Sequence, residues 1–108
     1  MQGFQVTLFT EEGRHHGRKQ VHVWLMEVAR SLGITGITTA VGVQGIGRDG
    51  RLHSAHFIEL ADQPVEVTMA LSPQQCDTLF ARLEAEKANL FYTKTPVEFG
   101  VLGQPPDE

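Results

Sequence analysis

The stretch VEVTMALSPQQCDTLFARL, Val65–Leu83, changes its hydrophobic period partway along, and that change decides the fold. Val65, Val67, Met69 and Leu71 alternate with Glu66, Thr68 and Ala70, the period of two expected of a strand with one face on a core. Cys76, Leu79, Phe80 and Leu83 then fall at i, i+3, i+4 and i+7, the stripe of an amphipathic helix. Ser72-Pro73-Gln74-Gln75 marks the junction. Ser72 suits the N-cap, Pro73 the first helical position, and Gln75 can close a capping box. Cys76 lies on the apolar stripe and reads as a small core residue, since free cysteine packs as a hydrophobe.

Upstream, Ala55–Ala61 is also strand-like and reaches Val65 through Asp62-Gln63-Pro64. Pro64 cannot donate to a ladder, so a bend or bulge in one long strand is expected there. The glycine-rich stretch 42–50 precedes it, and before that Ile37, Thr39, Val41 and Val43 share one face of a strand over Gly36–Val43. From Lys19 a helix is expected, with Val21, Trp24, Leu25, Val28, Ala29 and Leu32 inward and Val23 and Met26 off the stripe. Gly33 suits the left-handed cap of that helix, with Ile34 packing back on its last turn. Glu11–Gly17 reads as polar loop, and Gly3–Thr10 as a strand with Phe4, Val6 and Leu8 on one face. Downstream, the second helix is expected to end near Asn89, and Leu90–Val101 to form the last strand. The order βαββαβ predicts an α+β, ferredoxin-like sandwich over residues 1–103, with a flexible tail over 104–108. The sheet face away from the helices would carry Gln5, Thr7, Phe9, Thr38 and Ala40, a mixed face that suits sheet-to-sheet oligomers.

At 108 residues, half of them apolar or glycine, the chain fits one globular domain. No apolar run approaches the ~20 residues of a membrane span. The start carries no signal-peptide pattern, and the lone Cys76 allows no internal disulfide, so a cytoplasmic location is expected. The net charge of −4 speaks against nucleic acid as a partner. Its distribution is uneven: residues 1–54 carry six cations and four anions, residues 55–108 three and nine. The early cations cluster at Arg14, Arg18 and Lys19, beside His15 and His16, and again at Arg48 and Arg51. Both clusters sit with glycine, where backbone N–H groups and cations together can hold a small anion, or where the charges are simply solvated.

Gly45-Ile46-Gly47-Arg48-Asp49-Gly50 spells G-x-G-x-x-G, but Arg51–Leu60 alternates like a strand where a dinucleotide fold needs a helix. Two readings stay open: a hairpin loop using glycine for positive φ, or a mobile loop that presents N–H groups, Arg48 and Arg51 to an anion. His15, His16, His53 and His56 raise a metal-binding trimer as an alternative, although their spacing fits no standard zinc pattern. His22, off the apolar stripe, is expected to face solvent. Ser54 has neighbouring histidines but no orienting acid, so an enzyme is not the expected class. A small ferredoxin-like oligomeric enzyme is a further alternative, and its mark would be an enclosed pocket with a shifted-pKa residue.

The run Gly33-Ile34-Thr35-Gly36-Ile37-Thr38, then Val43-Gln44-Gly45-Ile46-Gly47-Arg48, resembles the PII nitrogen-regulatory signalling proteins, and the likeness continues through Thr95-Pro96-Val97-Glu98. It is closer still to a short PII-like family, a domain of unknown function, marked by a glycine loop followed by Gly50-Arg51-Leu52-His53-Ser54. The resemblance implies a homotrimer of ferredoxin-like subunits with a small anionic metabolite, such as an adenine nucleotide, in clefts between subunits. It also implies a loop, here 43–54, that ligand reshapes and that engages a target protein. Gly45, Gly47 and Arg48 match the family's loop base, Arg51 and His53 belong to its hallmark, and Lys94 is the one last-strand cation that could meet a phosphate. The chain departs from PII proteins at Ala85–Leu90, which lacks their glycine-lysine phosphate loop, and in a last strand without their arginine pair.

Overall fold

A computed structural model describes residues 1–42, 44–46, 52–54 and 63–103. The elements are β1 (Gln2–Glu11), β2 (His15–His16), β3 (Lys19–Gln20), α1 (Val21–Ser31), β4 (Thr38–Val41), β5 (Gln44–Ile46), β6 (Leu52–Ser54), β7 (Pro64–Leu71), α2 (Pro73–Ala85) and β8 (Phe91–Glu98). Four strands form one antiparallel sheet in the order β4-β7-β1-β8. Each helix therefore joins two parallel strands that have one strand inserted between them, the split βαβ expected of a ferredoxin-like sandwich.

The alternation read from the sequence sets the register. Leu8 pairs with Val67 and Val6 with Met69, which sends these side chains to the helical face together. Val21, Leu25, Val28 and Ala29 from α1 and Cys76, Leu79 and Leu83 from α2 meet them in one core. Burying each of these leucines is worth about 2 kcal/mol of transfer free energy. Gly3 permits a close crossing at the sheet end, because an added Cβ would stand 2.0 Å from the Leu71 carbonyl oxygen and 2.7 Å from the Phe99 ring.

The Ser72 junction forms as expected. The Ser72 hydroxyl accepts from the Gln75 amide at 3.1 Å, and the Gln75 side chain accepts from the Ser72 amide at 3.1 Å. The first helix starts two residues later than its periodicity suggests. Lys19 and Gln20 pair with His16 and His15 as a small ribbon, so the expected polar loop is partly strand. The Gln20 amide side chain donates to the Glu12 carbonyl instead of capping α1.

The ends of the later elements also move. α2 stops at Ala85, four residues short of Asn89, because Lys87 and Asn89 both turn left-handed, at φ 53° and 52°. β8 ends at Glu98, leaving Val101 exposed. Pro64 opens β7, where its missing N–H costs no ladder bond, and Ala55–Ala61 lies outside the described residues.

The open face of the sheet carries the residues expected there. One cross-strand row runs Thr38, Thr68, Thr7, Thr93 across all four strands. The Thr7 and Thr68 hydroxyls stand 3.1 Å apart. Farther along the same face Phe9 meets Phe91, ring centroids 5.4 Å apart.

Candidate functional site

The chain between β4 and β7 carries most of the residues singled out from the sequence. β5 and β6 pair there as a two-stranded antiparallel ribbon separate from the main sheet. Gly45 stands opposite His53, and Ile46 opposite Leu52. The backbones of Gly45 and His53 are thus held side by side. Gly47, Arg48 and Arg51 lie outside the described residues, as do Val43 and His56.

Lys94 is elsewhere. It pairs with Val6 in the middle of β8, so its side chain leaves the sheet on the helical face. Its ammonium sits 4.2 Å from the centroid of the Phe4 ring and 5.5 Å from that of Phe80, cation–π geometry at both rings. It also approaches the buried Cys76 thiol. Burial pushes that thiol's pKa up, with Lys94 opposing. Cys76 is therefore core, as its place on the stripe suggested. β8 is the edge of the main sheet opposite β4, with β7 and β1 between them.

The first cationic cluster is largely spent on the fold. Arg14 Nη2 donates to the Ala88 carbonyl at 2.5 Å, and Lys19 pairs with Glu27. His16 stacks on Trp24 with centroids 3.9 Å apart and 21° between planes, and its Nε2 lies 3.4 Å from Glu86. Glu86 also accepts from Arg82, and that hydrogen bond is the main reason its carboxyl is held below the ordinary glutamate range. These contacts tie the β2–β3 ribbon to the end of α2, a junction that the sequence reading missed. His22 corrects an expectation: it does not face solvent, since its Nε2 is buried 3.4 Å from the Glu12 carboxylate. A residue off the main stripe is still covered here because the ribbon folds over the first turn of α1. Among the described residues no three His, Cys, Asp or Glu side chains converge as a metal site would need. Among them, too, no helix is long and apolar enough to cross a membrane.

This split sandwich, with a two-stranded ribbon between its second and third main strands in chain order, is the fold of PII-like proteins. The chain matches CPII, a nitrogen regulatory PII-like protein from Thiomonas intermedia K12 whose structure holds ADP, AMP and bicarbonate. The TM-score is 0.62 at 15% identity, covering 90% of this chain and 89% of that one. It also matches a PII-like signalling protein from Thermus thermophilus, with a TM-score of 0.61 at 16% identity, covering 89% of this chain and 85% of that one. At such identities the likeness concerns the fold. The family itself is shown by sequence: the profile of DUF190, described as "Uncharacterized ACR, COG1993", matches residues 3–99, and the chain belongs to that family. Comparison with curated proteins gives no match.

Proposed function

We propose that this protein is a PII-like regulatory protein, not an enzyme, that binds a small anionic metabolite at the edges between three copies of the chain. An adenine nucleotide is the ligand class we favour. What supports this reading is that the candidate residues fall on separate sheets: Gly45 and His53 on the two-stranded ribbon, and Lys94 on β8, an edge strand of the main sheet. In this reading a ligand that uses both sets bridges two chains, with the β8 edge of one beside the ribbon of the next. The open sheet face, with its threonine row and the Phe9–Phe91 pair, is the surface on which copies would pack. CPII, bound to ADP, AMP and bicarbonate, supports the nucleotide class by fold analogy alone.

In this mechanism the ligand orders Val43–Ser54 and shifts the population of ribbon conformations that a target protein, still to be identified, recognises in the cytoplasm. Gly45 and Gly47 would let backbone N–H groups approach the anion, while Arg48 and Arg51 would supply charge. Light scattering with calorimetric titration of ADP and AMP tests the reading. A trimer that binds either nucleotide, and loses at least about tenfold in affinity on Arg48→Ala or Arg51→Ala, is the expected result. A monomer, or no nucleotide binding at millimolar concentration, overturns it.

A further inference from the structure

The β2–β3 ribbon and the turn after α2 are each weak alone, and each supports the other. The ribbon consists of two residue pairs, His15 with Gln20 and His16 with Lys19. A two-stranded ribbon is marginal by itself in water. The turn, residues 86–89, is unfavourable for a different reason. Lys87 and Asn89 are non-glycine residues in the left-handed region, at φ 53° and 52°. Such conformations persist where the surrounding structure over-determines them.

Two contacts join these segments. Arg14 Nη2 donates at 2.5 Å to the carbonyl of Ala88, the residue between the two left-handed ones. His16 Nε2 lies 3.4 Å from the Glu86 carboxylate, and the same imidazole stacks on Trp24. The partners are 74 and 70 residues apart in the chain, so neither segment makes these contacts until the other is in place. Opening one removes the support of the other, which is the condition for a local cooperative unit. The turn also forms one wall of a cleft of about 380 Å³, against Phe80 and Tyr92.

We propose that the β2–β3 ribbon and the turn 86–89 open and close as one unit, apart from the sheet core, and that the ribbon is thereby a second responsive surface besides the loop 43–54. Its use in regulation rests on the ligand reading above: a ligand held along the β8 edge steadies the turn, and the turn steadies the ribbon. A partner that grips the ribbon strengthens ligand binding by the same factor, since the coupling is reciprocal. Arg14 and His16 act here as positioning residues.

Native-state amide hydrogen exchange of the full chain tests it. The ribbon is reported by the Val21 amide, which donates to the Arg14 carbonyl. The turn is reported by the Lys87 and Ala88 amides, which donate to Glu84 and Leu83. Arg14→Met keeps the side-chain stem and removes the donor. It is expected to speed exchange at Lys87 and Ala88 at least about tenfold, the size of one charge-assisted hydrogen bond. Glu86→Gln leaves the ribbon's own sequence intact and is expected to speed exchange at Val21. Met69, in β7, is expected to stay unchanged in both. Faster exchange confined to the substituted segment, or an equal rise at Met69, overturns the proposal. Glu86→Gln, at a half-exposed position, keeps the test decisive if Arg14→Met does not fold. ADP added to the native chain is expected to slow Val21 together with Ala88, and slowing at Ala88 alone overturns the proposal. Absence of ADP binding overturns the nucleotide reading instead, and the two variants then decide the coupling.

Discussion

The two helices end in the same backbone motif with different residues. After α1 the Gly33 amide donates to the Arg30 carbonyl and the Ile34 amide to Ala29. After α2 the Lys87 amide donates to Glu84 and the Ala88 amide to Leu83. Both are Schellman closures, with the residue after the cap left-handed: Gly33 at φ 76° and Lys87 at φ 53°. At α1 the choices favour stability, with glycine in the strained position and Ile34 only 2% exposed behind it. At α2 a lysine holds the strained position, alanine takes the place of isoleucine, and a second left-handed residue follows. The α2 end is then clamped from outside by Arg14 on the Ala88 carbonyl and His16 on Glu86. Identical hydrogen bonds thus close one end for packing alone and hold the other in a costlier shape that displays side chains over a cleft.

The largest test of that contrast is Ile34→Ala, which removes the apolar plug of the α1 end. It should cost about 2–5 kcal/mol, read as a fall in the urea midpoint. A loss under about 1 kcal/mol would show that the α1 end does not rely on this plug. Next in size is a pair of opposite sign. Gly33→Ala should destabilise by about 1 kcal/mol, because an added Cβ has open space but the wrong φ, and Lys87→Gly should stabilise by a similar or smaller amount. Loss of stability in Lys87→Gly would mean that its side chain supports the fold, contrary to the contrast drawn above. The smallest effect is pH dependent. Glu86 titrates below its ordinary value in the folded chain, so its contribution is present above the unfolded pKa and lost as pH falls through the folded one. The stability gap between the native protein and Glu86→Gln should therefore be open at pH 7 and close below about pH 4.5. Denaturant titrations at pH 7, 5 and 3 read it, and a gap that stays constant would remove the Arg82 and His16 contacts as its cause.

The fold was legible because hydrophobic periodicity is a local property. Val65–Leu71 and Cys76–Leu83 announce strand and helix in their own order, and Ser72 and Gln75 mark the boundary by chemistry that acts over three residues. Gly33 and Ile34 announce the α1 end in the same way. The α2 end carries a weaker signal, since among non-glycine residues only Asn89 commonly adopts left-handed backbone. A helix expected through to Asn89 follows from that. The burial of His22 escapes its helical stripe because the cover comes from Glu12 and the β2–β3 ribbon, outside the helix itself.

The sequence by itself determined the element order, the inward faces of β1, β7, α1 and α2, and membership of the family, all of which rest on patterns spanning a few residues to a few dozen. Only the tertiary structure decided which chemistry-bearing residues share a location. It put Lys94 on an edge strand over Phe4 and Phe80, sat His16 on Trp24 against Glu86, and opened a cleft lined by Phe80 and Tyr92. Those meetings depend on strand order and on contacts 8 to 74 residues apart in the chain, as far as Arg14 to Ala88, and no local period encodes them.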